Sequence, residues 1–150
     1  MTMAIGLPGL QWLATPAIVG HVLDNPVTLL LTRICMTLPF WVGGLVKLLD
    51  WQGGVVEMEK TGLRPAWAFN LTVVIVELGG SALVIADWAT WLGAGALGCF
   101  TFLSTFIAHR FWRATGKVRA AELNSFLEHA TICTAFILIV VVGLRGPPVP

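Results

Sequence analysis

Charged residues are scarce in this chain of 150 residues: Asp, Glu, Lys and Arg make up 11% of it, whereas soluble proteins carry roughly a quarter. Hydrophobic residues make up 57%, so a soluble monomer is excluded. Nine basic residues nearly balance eight acidic ones, which excludes the broad cationic surface that nucleic-acid binding requires. The composition therefore indicates an integral membrane protein with no nucleic-acid partner.

The sequence also lacks the short motifs of several enzyme classes. It contains no G-x-G-x-x-G, Walker, H-E-x-x-H or G-x-S-x-G pattern, and no C-x-x-C of the thioredoxin-like kind. The three cysteines, Cys35, Cys99 and Cys133, stand in separate apolar runs. In such surroundings a thiol packs as a small hydrophobic group, so we expect no metal site. No Lys or Arg precedes Arg33, so the N-terminal segment is not expected to be a secretory signal.

Four apolar stretches are long enough to cross the hydrocarbon core of a bilayer, which takes about 20 residues. They span residues 27–49, 66–86, 88–108 and 124–144. The second and third are so close in sequence that they must form an antiparallel hairpin. The sequence therefore predicts an all-α, polytopic membrane protein with a four-helix transmembrane domain over 27–144. An interfacial segment at 1–26 and a tail at 145–150 are expected to flank it.

Basic residues are concentrated in two predicted loops, 50–65 and 109–123. They are Lys60 and Arg64 in the first, and Arg110, Arg113, Lys117 and Arg119 in the second. Because loops rich in Lys and Arg remain in the cytoplasm, we expect both loops to be cytoplasmic and both termini to lie outside. Tryptophans near both sets of predicted helix ends indicate two aromatic belts: Trp51, Trp67 and Trp112 at one interface, and Trp88 and Trp91 at the other.

Ionisable side chains inside the predicted helices are few, and each costs about 2.5 to 3.5 kcal/mol at the bilayer centre. Arg33 and Lys47 share a face of the first helix with Phe40, and Asn70 and Glu77 share a face of the second. Depth counted along the helices puts Arg33 within reach of Glu77, so we predict an ion pair between them. Such a pair either pins two helices together or borders a cavity that binds a head group or carries protons.

A second polar cluster is expected near the cytoplasmic boundary. There Lys47 is interpreted as extending toward lipid head groups and His109 as lying at the interface. Glu128 and His129 are adjacent and need not share a partner, but a histidine beside a carboxylate suits a quinone carbonyl or a proton relay. The predicted intramembrane polar or small-molecule site comprises Arg33, Lys47, Asn70, Glu77, His109, Glu128 and His129. No catalytic residue is assigned.

These residues resemble the DoxX family of small four-helix membrane proteins. The segment RICMTLPFWVGGLVKLLDW is similar to the family's first helix, with Arg33, Phe40, Gly43 and Lys47 at matching places. The following loop and second helix are matched by Gly62, Pro65, Glu77, Gly79 and Gly80. The end of the third helix is matched by AHRFW, and the start of the fourth by Asn124, Phe126, Glu128 and His129. The resemblance covers about residues 27–144.

What the resemblance implies is a redox association, because the family is named after a membrane subunit associated with a thiosulfate:quinone oxidoreductase. We therefore expect an inner-membrane subunit or partner of a quinone- or thiol-linked system, with quinone as the small molecule and an oxidoreductase as the partner protein. The chain has no stretch that predicts a domain for a flavin or nicotinamide, so a complete enzyme is not expected.

Two other functions stay open. An intramembrane carboxylate suits a small proton-coupled transporter, and the Gly-rich third helix, with Ala94 and Gly98 as a small-xxx-small pair, suits homo-oligomers. The predicted Arg33 partner of Glu77 argues against transport, since it would leave the carboxylate unavailable for proton exchange. The second alternative is a structural anchor whose basic loop docks a cytoplasmic protein or acidic lipid.

Overall fold

The computed structural model describes residues 16–145, and these contain helices but no strand. The helices are α1 (Ala17–Leu23), α2 (Pro26–Leu49), α3 (Trp51–Lys60), α4 (Ala66–Ile85), α5 (Thr90–Ala108) and α6 (Gly116–Arg145), with a 3-10 turn at Phe111–Arg113. Four of them, α2, α4, α5 and α6, are long and apolar enough to cross a membrane. The predicted all-α, four-helix membrane protein is confirmed.

Two helical segments were not expected from hydropathy. Helix α6 begins at Gly116 rather than at residue 124. Its first two turns are rich in good helix formers, but several of these residues are charged, so the segment did not count as an apolar stretch. Helix α3 lies within the predicted loop 50–65. It starts because the Asp50 carboxylate accepts a hydrogen bond from the Gly53 N–H at 3.0 Å, which caps the helix.

The four long helices pack in chain order, α2 on α4, α4 on α5 and α5 on α6. Phe40 of α2 and Phe136 of α6 meet edge to face, with ring centroids 5.5 Å apart, and so close the bundle between its first and last crossing. We call the end where residues 86–89 join α4 to α5 the hairpin end. The end that carries α3 and residues 109–115 is called the basic end.

Helices α4 and α5 are tightly packed at the hairpin end. A Cβ added at Gly93 would lie 2.7 Å from the Gly80 carbonyl oxygen, so α4 and α5 touch there through their backbones. Val84, Ala94 and Leu97 are buried in the same half of the bundle. They share one core cluster with Phe40 and Phe136.

The turn at the hairpin end contains two residues with positive φ, Asp87 at 55° and Ala89 at 48°. Aspartate tolerates this left-handed region better than most residues, whereas alanine does not. The Asp87 carboxylate also accepts a hydrogen bond from the Thr90 hydroxyl at 3.0 Å, at the start of α5.

The predicted interfacial segment 1–26 is described only in part. Residues 16–26 contain α1, which has no buried residue, whereas residues 1–15 lie outside the described residues. Most of the predicted tail, residues 146–150, also lies outside them.

Candidate functional site

A cavity of about 570 Å³ lies between the helices in the half of the bundle nearer the basic end. Side chains of α2, α3, α4, α5 and α6 all line it, and most are apolar, such as Phe40, Met58 and Phe69. Its ionisable lining residues are Lys47, Glu57, Glu77 and His129. A largely apolar cavity with a few polar groups is the usual form of a small-molecule site.

Lys47 lies between two carboxylates in this cavity. Its Nζ is 3.9 Å from Oε2 of Glu57 on α3 and 3.9 Å from Oε2 of Glu77 on α4. Both distances are too long for a hydrogen bond, so the ammonium group interacts electrostatically with both carboxylates and donates to neither. From the sequence we expected the Lys47 side chain to extend toward lipid head groups. It extends instead into the bundle, toward Glu57 and Glu77.

Glu77 is held at a close approach of α2 and α4. Its side chain is only 8% exposed, and a Cβ added at Gly43 would lie 3.4 Å from its Oε2. That is an ordinary contact distance, whereas a Cβ added at Gly44 would lie 2.8 Å from the Leu78 side chain and 3.2 Å from Cβ of Glu77, so the close approach depends on Gly44. Oε2 of Glu77 has no hydrogen-bond partner among the described residues.

Two histidines meet where α5 ends. The rings of His109 and His129 have centroids 4.8 Å apart, and Nδ1 of His109 lies 3.0 Å from Oε2 of Glu122. Nδ1 of His129 is buried and has no hydrogen-bond partner in the part of the chain that the structure describes. Since His129 lines the cavity, the three residues connect the cavity wall with the first turns of α6.

The predicted ion pair between Arg33 and Glu77 is wrong. The Arg33 guanidinium instead contacts the Asp87 carboxylate at 2.8 Å, at the hairpin end. The prediction was based on the depths of Arg33 and Glu77 along their helices, which are similar. It did not include the turn after α4, which carries another carboxylate. That turn brings Asp87 to the guanidinium, and Lys47 is the cation near Glu77.

The other predicted site residues are distributed as follows. Asn70 is fully buried against Gly54 of α3, and its amide has no hydrogen-bond partner among residues 16–145. Glu128 is exposed and accepts a hydrogen bond from the Asn124 amide at 2.6 Å. The structure therefore brings Lys47, Glu77 and His129 to the cavity with His109 beside them, whereas Arg33, Asn70 and Glu128 are not among its lining residues.

Comparisons with known proteins agree with this architecture. The DoxX family model matches residues 28–110, which is more than half of the chain. The chain belongs to the DoxX family. It is also similar to two Escherichia coli K12 proteins: it is 26% identical over 119 residues to inner membrane protein YphA, covering 79% of this chain and 85% of that protein, and 29% identical over 119 residues to inner membrane protein YqjF, covering 78% and 85%. No solved structure is a significant match.

The family match covers only part of the cavity of this DoxX protein. Lys47, Glu57, Glu77 and His109 lie within the matched residues, whereas His129 lies beyond them. Residues inside the family match and residues of α6 therefore form the cavity wall together.

The lining residues that sequence reasoning missed in this DoxX protein include Glu57 and Met58 on α3, Thr61 directly after it, and Thr101 and Ser104 on α5. The signal for α3 is present in the sequence, since a capping aspartate precedes WQGGVVEMEK and a predominantly polar helix of this kind can lie along a bundle. Thr101 is buried on α5, and its hydroxyl donates to the Leu97 carbonyl at 2.8 Å.

Proposed function

We propose that this DoxX protein is an inner-membrane subunit of a redox system and that its cavity binds a small lipophilic molecule of the quinone class. The single observation that carries the proposal is the cavity of about 570 Å³, apolar over most of its wall, with Lys47, Glu77 and His129 among its lining residues. A lipophilic ring fits such a wall, and its carbonyl oxygens need hydrogen-bond donors.

Lys47 and His129 are the hydrogen-bond donors for the quinone carbonyls. The Lys47 ammonium group carries three N–H donors and makes only long contacts, of 3.9 Å, to its two carboxylates. Nδ1 of His129 is unpartnered within the described chain and serves as a donor when the ring carries its proton there. Each group can turn to a quinone carbonyl without breaking an existing hydrogen bond.

In this function a partner oxidoreductase holds the redox cofactor and the second substrate. Residues 16–145 form one helical bundle, so the DoxX protein contributes the membrane-embedded quinone site. Its two relatives are named inner membrane proteins, which supports the same membrane for this chain.

The test is binding of decylubiquinone to the purified protein in lipid nanodiscs, combined with mass spectrometry of molecules retained after mild-detergent purification. Lys47→Met is expected to weaken decylubiquinone binding about tenfold or more, because a hydrogen bond from a charged donor contributes about 1.5 to 3 kcal/mol. Arg33→Gln is the matched control, since it removes a cation that pairs with Asp87 outside the cavity. Equal affinity in the wild type and Lys47→Met, with no quinone or oxidoreductase retained, would contradict the proposal.

A small proton-coupled transporter is the second candidate, and one observation favours it. Glu77 is not paired with Arg33, which was the argument against transport, and it lines the cavity with one oxygen free of hydrogen bonds within the described residues. Flux of the lipophilic cation tetraphenylphosphonium into proteoliposomes would then depend on a pH gradient. Glu77→Gln should abolish that flux and Glu59→Gln, an exposed acid on α3, should preserve it.

We also propose that the basic end faces the cytoplasm and that both termini lie outside. Arg113, Lys117 and Arg119 are all exposed at that end, where short cationic segments favour cytoplasmic retention. A C-terminal alkaline phosphatase fusion should be active and a C-terminal green fluorescent protein fusion dark. The reverse pattern would invert the orientation.

A further inference from the structure

Three side chains form a continuous contact from the first turns of α6 to the cavity. Oε2 of Glu122 lies 3.0 Å from Nδ1 of His109, the His109 ring lies against the His129 ring at 4.8 Å between centroids, and His129 lines the cavity. All three side chains can accept and release a proton.

The backbone explains why these groups meet. Glu122 and His129 are seven residues apart on α6, which is two turns, so they lie on the same face of that helix. His109 stands just beyond the last helical residue of α5, where its N–H still donates to the Thr105 carbonyl at 2.9 Å. The side chain at the end of α5 is therefore placed between the two residues of α6.

Exposure changes along the three residues. The side chains of Glu122 and His109 are 33% and 24% exposed, and the adjoining residues Arg119 and Arg110 are exposed at the basic end. At the other end, Nδ1 of His129 is buried without a hydrogen-bond partner in the described structure. Glu122, which is partly accessible at the basic end, thus connects through the His109 ring with His129, whose side chain lines the cavity.

We propose that Glu122, His109 and His129 form a proton-transfer route from the basic end of the bundle to the cavity. Glu122 takes a proton from water and gives it to Nδ1 of His109, and the His109 ring gives a proton to the His129 ring. Uptake by Glu122 breaks an O–H bond of water and forms an O–H bond on the carboxyl group, transfer to His109 breaks that O–H bond as an N–H bond forms, and transfer to His129 breaks one N–H bond as another forms; no electrons are exchanged. The route rests on the proposed function only in that the cavity is where the proton is delivered.

The charged and titratable groups around the route are drawn from every helix that surrounds it. On α6 they are Glu122 and Glu128, after α5 His109 and Arg110, and across the cavity Lys47 on α2, Glu57 on α3 and Glu77 on α4. Glu128 is directed to Asn124 rather than to either histidine, so it offers a matched acid outside the route.

The experiment follows proton exchange at the His129 imidazole by ¹⁵N NMR of histidine-labelled protein in nanodiscs, with no ligand present. The chain has three histidines, His21, His109 and His129, so the His21→Gln background leaves only the two that matter. His109→Phe keeps a ring beside His129 but cannot carry a proton, and Glu122→Gln removes the proton-accepting group while keeping a polar side chain.

Both substitutions are expected to slow exchange at His129 at least about tenfold, in the range that positioned acids and bases contribute, whereas Glu128→Gln should leave the rate unchanged. An unchanged rate in His109→Phe would overturn the proposal. Equal slowing in Glu128→Gln would also overturn it, because the effect would then be one of charge and not of a route. Since no quinone or other ligand is used, failure of quinone binding leaves this result standing, and failure of the route leaves quinone binding standing.

Discussion

The two ends of this bundle are built from opposite kinds of contact. At the hairpin end, Gly80 and Gly93 bring α4 and α5 to backbone contact, and Arg33 and Asp87 make an ion pair at 2.8 Å. At the basic end, a lysine stands 3.9 Å from each of two carboxylates beside a cavity of about 570 Å³. Helices α4 and α5 therefore converge at the hairpin end, whereas the helices around Lys47 leave a cavity at the basic end.

Stability and binding are expected to depend on different ends of the bundle. Close contact between backbones stabilises helices in a membrane, where no hydrophobic effect drives helices together. Groups with unsatisfied polar atoms cost stability unless something binds them. We therefore expect substitutions at the hairpin end to lower stability, and those at the basic end to change what the protein binds.

The largest effect is expected from Phe136→Ala, at the boundary between the two ends. Phe136 is 1% exposed and packs edge to face on Phe40, and loss of a buried phenyl group costs about 3 to 5 kcal/mol. Phe69→Ala removes the same group from the cavity wall, where the residue is 39% exposed, and should cost no more than about 1 to 2 kcal/mol. Thermal unfolding of both variants in detergent measures the difference. Similar losses of stability would contradict the view that Phe136 is tightly packed while Phe69 borders an open cavity.

A smaller effect is expected from Gly93→Ala. The added Cβ would lie 2.7 Å from the Gly80 carbonyl oxygen, which cannot move without its helix, so we expect a loss of about 1 to 3 kcal/mol. At the basic end, the Cβ added by Gly54→Ala would instead clash with the Asn70 side chain, which can rotate. A smaller loss is expected there.

Gly79→Ala is the control for both glycine substitutions, because its Cβ would meet no heavy atom within 4 Å. It should be neutral or slightly stabilising through the higher helix propensity of alanine. Unfolding temperatures of the three variants in one detergent provide the ranking, and Gly54→Ala falling below Gly93→Ala would reverse the comparison.

Removing one ion-pair partner at each end should give a modest and unequal effect. Asp87→Asn keeps a residue that tolerates positive φ but removes the charge next to Arg33, and the loss is expected to be about 1 kcal/mol or less, since Asp87 is 57% exposed. Glu57→Gln should leave stability almost unchanged, because its contact with Lys47 is 3.9 Å long. Chemical denaturation with and without added salt measures both, and only the Asp87 pair should show a salt dependence.

The smallest effect is expected at the turn itself. Ala89 has a φ of 48°, which glycine adopts without the steric cost that alanine carries. Ala89→Gly should therefore raise stability by a few tenths to about 1 kcal/mol. Ala86→Gly, at an ordinary right-handed conformation at the end of α4, should lower it. A loss in both variants would show that the turn is not under backbone strain.

Hydropathy predicted the four crossings because a helix that spans the bilayer requires a long apolar run, which is visible in the sequence itself. It did not predict α3, since WQGGVVEMEK is short and mostly polar and becomes a helix through the Asp50 cap. The first turns of α6 were missed for a related reason, because their residues favour helix without being apolar.

The candidate site was predictable by residue type but not by pairing. Lys47, Glu77 and His129 stand out because charge is costly in a membrane, and the structure brings all three to one cavity. The pairing of Arg33 with Asp87 depends on the turn after α4, and the contact between His109 and Glu122 depends on the segment that connects α5 and α6. Neither connection has a periodic pattern that fixes where its side chains lie.

The contact between Phe40 and Phe136 lies at the edge of the cavity. The Phe40 ring packs edge to face on Phe136 and is also part of the cavity wall. A molecule that enters the cavity therefore touches a side chain that also joins α2 to α6. Occupancy of the cavity and closure of the bundle thus depend on one shared ring.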